Sequence, residues 1–172
     1  MTETALKKER YSILFFYFLC AALAIVACIP TMSAQNIGVT GILIVVLLAY
    51  LKRSFTEEDS LEHHHLSYII RSIWIYTLFA SIGMMGAGWR VWSEGNNAAI
   101  DTLTAMIEQG SAPTESDIDT TVNTYLADNH NLIMQSMIMW MLPSLLYFAW
   151  RIVRGLERGW KNYRVQNIYA WF

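Results

Sequence analysis

Four long apolar runs constrain this chain more than anything else in it. They cover about residues 11–30, 34–51, 66–92 and 131–153. A helix needs about 20 apolar residues to cross the hydrocarbon, with a range of about 17–25. The first, third and fourth runs meet that length. The second is unbroken only from Ile37. It reaches spanning length if its helix starts near Met32, and must then stand upright or be shielded by its neighbours.

Backbone polar groups find no water in lipid, so each run is a helix or a strand of a closed barrel. Barrel strands alternate over about ten residues. The stretch Ile42-Leu43-Ile44-Val45-Val46-Leu47-Leu48 is apolar at every position, which excludes alternation. The expected fold is therefore all-α, an integral membrane four-helix bundle forming one membrane domain over 1–172. Charged residues make up 15% of the chain against about 25% in a soluble domain, and the deficit lies in these runs.

Orientation follows from the cations. Lys7, Lys8 and Arg10 precede the first run, and Lys52 and Arg53 lie between the second and third. Arg151, Arg154, Arg158, Lys161 and Arg164 close the chain, and Arg71 falls near the same side. On the other side only Arg90 appears. The stretch 93–130 has no Lys or Arg and carries Glu94, Asp101, Glu108, Glu115, Asp117, Asp119 and Asp128. The topology read from this is that of a bacterial inner-membrane protein, both termini cytoplasmic, with one acidic periplasmic insertion. Basic residues in short flanking clusters are no nucleic-acid footprint. The start resembles a secretion signal, and Ile25-Val26-Ala27-Cys28 loosely resembles a lipoprotein cleavage box. The first run exceeds a typical h-region of about 7–15 residues, so it is expected to stay uncleaved.

Stripes of small residues let helix backbones approach in lipid, where packing drives association. Cys20, Ala24 and Cys28 form one stripe; Gly83 and Ala87 repeat its spacing beside Gly86 and Gly88. Cys20 and Cys28 lie about 12 Å apart along one helix, too far to bridge. Pro143 is expected to kink the fourth run. Trp89 and Trp92 mark one membrane interface; Tyr11, Trp150 and Trp160 mark the other.

The acidic insertion has helical periodicity of its own. Ile100, Leu103, Met106 and Ile107 repeat at helical spacing, Gly110 and Pro113 break it, and Thr114 can cap a second helix. That helix would present Ile118, Val122, Tyr125 and Leu126. The expectation is a short helical hairpin. It either folds onto its own helices or the lipid surface, or offers Ile100, Leu103, Ile107, Ile118, Val122 and Leu126 as a docking face for a protein partner.

No catalytic constellation emerges: no phosphate-cradling glycine loop, no nucleophile with a histidine partner, no paired carboxylates within a span. The chain reads as non-enzymatic. Consecutive side chains of His63-His64-His65 point about 100° apart on a helix, and no second cluster completes a metal site. A solvated helix start is the favoured reading for them. His130 lies at the opposite face, which argues against haem held between helices, so no cofactor is expected. Arg71 sits about one and a half turns into the third run. It reads as a cation reaching back to the headgroups or as a functional intramembrane charge. The absence of an acid deep in any span argues against a proton- or cation-coupled transporter. Arg151, Arg154 and Arg158 share a helical face, read mainly as flanking charge and otherwise as a contact for anionic lipid or a partner. Beyond them, 154–172 forms a cytoplasmic tail ending in Tyr163, Ile168, Tyr169, Trp171 and Phe172, suited to lie in the interface.

Two stretches carry a family resemblance. Tyr50-Leu51-Lys52-Arg53, then His65, then Ile70-Arg71-Ser72-Ile73-Trp74 resembles a Tyr-x-Lys-Arg helix end, a linking histidine and an Ile-Arg-Thr-x-Trp helix start. Trp150-Arg151-Ile152-Val153-Arg154-Gly155 is similar to a closing Tyr-Arg-Ile-Val-Lys-Gly. These motifs belong to a bacterial family of small uncharacterised four-helix membrane proteins, distantly similar to the chloroplast inner-envelope import component. The resemblance covers about half the chain. The insertion at 93–130 and the stretch after Gly155 depart from it. It implies no enzymatic activity and marks His65, Arg71 and Trp74 as a structural cluster. The role expected is an accessory or scaffold subunit of a membrane complex. The alternative is a small channel, translocation or transport component with Arg71, Pro143 and the Gly83–Gly88 cluster along its path.

Overall fold

In the computed structural model, which describes residues 3–27, 29 and 31–165, the apolar runs become helices that extend past the runs themselves. Six helices follow in order: α1 Glu3–Ala27, α2 Met32–Ser54, α3 Leu61–Glu94, α4 Ala98–Glu108, α5 Glu115–Asp128 and α6 His130–Trp160. Four are long and apolar enough to cross a membrane, over Lys7–Ala27, Ser33–Ser54, Leu61–Glu94 and His130–Trp160. By helix length and hydropathy the chain is a multi-pass membrane protein. The second run gains its length because α2 starts at Met32, where the Thr31 side chain accepts from the Ala34 N–H at 3.3 Å and satisfies one of the free amides of the first turn. Ser60 does the same for α3, accepting from His63 N at 3.1 Å.

The chain divides into two compact units, Met1–Leu78 with Leu145–Phe172, and Phe79–Ser144. In the first, four helices each turn one stripe inward at spacing i, i+3, i+4, i+7. On α1 it is Ile13, Phe16, Tyr17 and Cys20; on α2, Ile42, Val45, Val46 and Ala49; on α3, Leu66, Ile69, Ile70 and Ile73. On α6 the stripe reads Phe148, Arg151, Ile152 and Gly155, so an arginine holds a core position. Phe15, Phe18, Leu43, Leu47 and Val153 face outward, as lipid-facing residues do. Cys20 is fully buried within the stripe; Cys28 lies outside the described residues, as do Ile168, Tyr169, Trp171 and Phe172.

α6 ends in a left-handed turn. Asn162 has φ 55°, the Asn162 N–H donates to Gly159 C=O at 3.2 Å, and the Tyr163 N–H donates to Arg158 C=O at 2.9 Å. This pair of bonds is the Schellman arrangement, and asparagine tolerates its φ better than most residues. The reversal lets Val165 tuck into the core, 1% exposed. After 154 the chain is thus helix to Trp160, and 161–165 then return to the bundle.

In the second unit, α4 and α5 pack side by side as the expected hairpin. Thr114 caps α5 through a reciprocal box: Asp117 N donates to Thr114 Oγ1 at 3.3 Å, and Thr114 N donates to Asp117 Oδ2 at 2.9 Å. The Thr114 hydroxyl, at 2.7 Å, also holds the Asp117 carboxyl below its ordinary range. Asn129 closes the hairpin at its base. It is 3% exposed, accepts from Asn96 N at 2.7 Å, and donates to Asn96 C=O at 3.0 Å and Tyr125 C=O at 2.9 Å. Asn129→Ala leaves those backbone groups unsatisfied, and the expected cost is about 2 kcal/mol. Amide hydrogen exchange across 95–130 should accelerate accordingly, and unchanged protection there would refute the clasp.

Candidate functional site

The largest of the fully buried side chains in the first unit is cationic. Arg151 is 1% exposed. Its guanidinium lies over the Tyr68 ring, 4.2 Å from the centroid, and 5.8 Å from that of Tyr147. Nε donates to Ser72 Oγ at 2.8 Å and one terminal nitrogen donates to Tyr147 Oη at 3.2 Å. The Ser72 hydroxyl donates to Tyr68 C=O at 2.6 Å, which orients its lone pairs toward Arg151. Two aromatic faces and two hydroxyls therefore receive the cation, an arrangement suited to arginine's planar, weakly hydrated head. Burial turns Arg151 away from the lipid or partner contact expected of it, while Arg154 and Arg158 on the same face are half-buried, with Arg154 resting 5.1 Å over the Trp150 ring.

His65 is also fully buried, so the solvated helix start does not extend to it. Its Nε2 lies 3.0 Å from Tyr163 C=O, and its Nδ1 lies 3.0 Å from Tyr17 Oη. A carbonyl only accepts, so Nε2 carries the proton; the Nδ1 of a neutral ring then accepts from the tyrosine hydroxyl. The contact depends on two small residues of α6. A Cβ on Gly155 would fall 2.5 Å from Tyr17 Cζ, and one on Gly159 2.8 Å from Ile13 Cγ2. Sequence reading missed this Gly155/Gly159 pair, although its spacing is the small-residue signal applied elsewhere.

The three residues marked by the resemblance do not converge. His65 faces Tyr17 and the Tyr163 carbonyl, while Arg71 and Trp74 lie on another side of α3. There they line a cavity of about 570 Å³ between α2 and α3 with Tyr50, Arg53, His63 and His64. Trp74 Nε1 donates to Tyr50 Oη at 3.1 Å, and Arg53 Nε donates to His63 Nε2 at 3.3 Å. Positions 65 and 74 are nine residues apart, which is about half a turn out of phase on a helix.

In the second unit Gly83 and Gly86 meet Trp140. A Cβ at either would come within 2.7 Å of it. These glycines make room for a close helix contact. Pro143 sits within a continuous α6. Helices α4 and α5 of the hairpin bury none of their own side chains. Ile107, Ile118, Val122 and Leu126 are 53%, 45%, 50% and 49% exposed, while Ile100 and Leu103 are half-buried. Among the described residues no group of three or more His, Cys, Asp or Glu side chains is placed to hold a metal ion. No protein-family model, curated protein or solved structure matches the chain.

Proposed function

We propose that the chain is a non-enzymatic accessory or scaffold subunit of an assembly in the bacterial inner membrane. Its termini are cytoplasmic, and its acidic hairpin docks a protein partner on the periplasmic side. The observation that supports this is the hairpin itself. It is capped, clasped at its base and hydrogen-bonded within, yet Ile107, Ile118, Val122 and Leu126 stay half exposed. Apolar side chains left exposed on an ordered, acid-rich hairpin are suited to a complementary chain. The motif resemblance agrees with a role without chemistry. The channel alternative gains nothing from Gly83 and Gly86, which are occupied by Trp140.

Gentle detergent extraction of the full chain, followed by mass spectrometry, should return a stoichiometric second protein. Ile118→Glu with Val122→Glu should release it while the membrane helices stay folded, because neither residue is buried. A wild-type chain that migrates alone, or only with copies of itself, sinks the proposal.

A further inference from the structure

The cavity between α2 and α3 has an ordered gradient of chemistry along its length. At its loop end stand the exposed carboxylates of Glu58 and Asp59. His63 and His64 follow on the first turn of α3, each with a buried Nδ1 that finds no protein partner. Arg71 lies about 12 Å further along the helix than His63, and Trp74 about 16 Å. Arg53 enters from α2 beside His63. The order is therefore anionic, then basic, then aromatic and apolar, from the loop toward the middle of the span.

That order matches one kind of membrane molecule read from water inward. A glycerophospholipid presents its headgroup substituent outermost, its phosphate next and its acyl chains deepest. Two guanidiniums suit a phosphate, which arginine holds through paired N–H donors. The two carboxylates at the mouth repel a second anionic group and attract an ammonium. Arg53 and Arg71 match Glu58 and Asp59 in number, so a zwitterion adds no net charge to these four groups. We propose that this cavity is a binding site for the ethanolamine headgroup of a phospholipid. The phosphate sits at Arg71 and Arg53, the ammonium at Glu58 and Asp59, and the acyl chains run past Trp74. The histidine Nδ1 atoms supply further bonds to the headgroup. The site uses none of the hairpin, so its failure leaves the docking proposal untouched.

The test is native mass spectrometry of the delipidated full-length protein in detergent, titrated separately with dioleoyl phosphatidylethanolamine and dioleoyl phosphatidylglycerol. The ethanolamine lipid should bind at least about tenfold more tightly, the scale of hydrogen bonds to charged groups. Arg71→Gln should remove about tenfold of that affinity, and Arg71→Lys should restore part of it. Glu58→Gln with Asp59→Asn should bring the two lipids level. Glycerol lipid binding as tightly as ethanolamine lipid in the wild type overturns the proposal. So does a folded Arg71→Gln protein that binds as the wild type does. Should Arg71→Gln fail to fold, the exposed mouth variant decides. Loss of the ethanolamine preference supports the site, and its retention overturns it.

Discussion

Arg151→Ala should lower the unfolding free energy of the detergent-solubilised protein by about 3 kcal/mol. A desolvated cation–π contact contributes about 2 kcal/mol and a hydrogen bond to a charged group about 1.5–3 kcal/mol. These terms overlap within one network and do not sum. The truncation also leaves a cavity where a large, fully buried side chain stood. Arg154→Ala, at a partly exposed neighbour of the same helix, should cost less than about 1 kcal/mol. Tyr68→Phe keeps the aromatic face and should be mild, whereas Tyr68→Leu removes it and should cost about 1–2 kcal/mol. Unfolding by a denaturing detergent, followed by far-ultraviolet circular dichroism, measures all four. If Arg151→Ala and Arg154→Ala unfold together with the wild type, Arg151 is not the internal brace described above.

Gly155→Leu should be at least as damaging, at about 3 kcal/mol, the upper end for overpacking. Even a methyl there meets the Tyr17 ring at 2.5 Å. The ring has no free direction to move: it is fully buried and its hydroxyl is tied to His65 at 3.0 Å. A size exchange separates this account from a general intolerance of bulk in α6. Tyr17→Ala opens the space that Gly155→Leu fills, so the double variant should recover stability relative to the sum of the single ones. Strict additivity in thermal unfolding would mean that the two residues do not meet.

Much of the fold is legible in the sequence. Length and hydropathy predict the four long helices, and Thr114, Gly110 and Pro113 predict the hairpin, because each is decided within a few consecutive residues. The Thr114–Asp117 box needs only four positions to form. Core membership was not legible in the same way. On a helix apolar all round, periodicity does not tell an inward residue from one facing lipid, so Leu43 and Val45 read alike although only Val45 is buried.

The candidate residues divide along that line. Arg71 stands out in sequence as a charge within an apolar run, and the structure gives it a cavity wall. Arg151 reads as one of three flanking cations, yet it occupies a core position because Tyr68, Ser72 and Tyr147 supply faces and hydroxyls from two helices. Sequence alone determined the number of long helices and where the hairpin starts, since burying a backbone in lipid leaves few choices and capping is local. Tertiary structure alone decided which side of each helix points inward, and so made His65 and Arg151 core residues. Partners 48 to 98 residues away hydrogen-bond to them, and no local pattern encodes a contact across such separations.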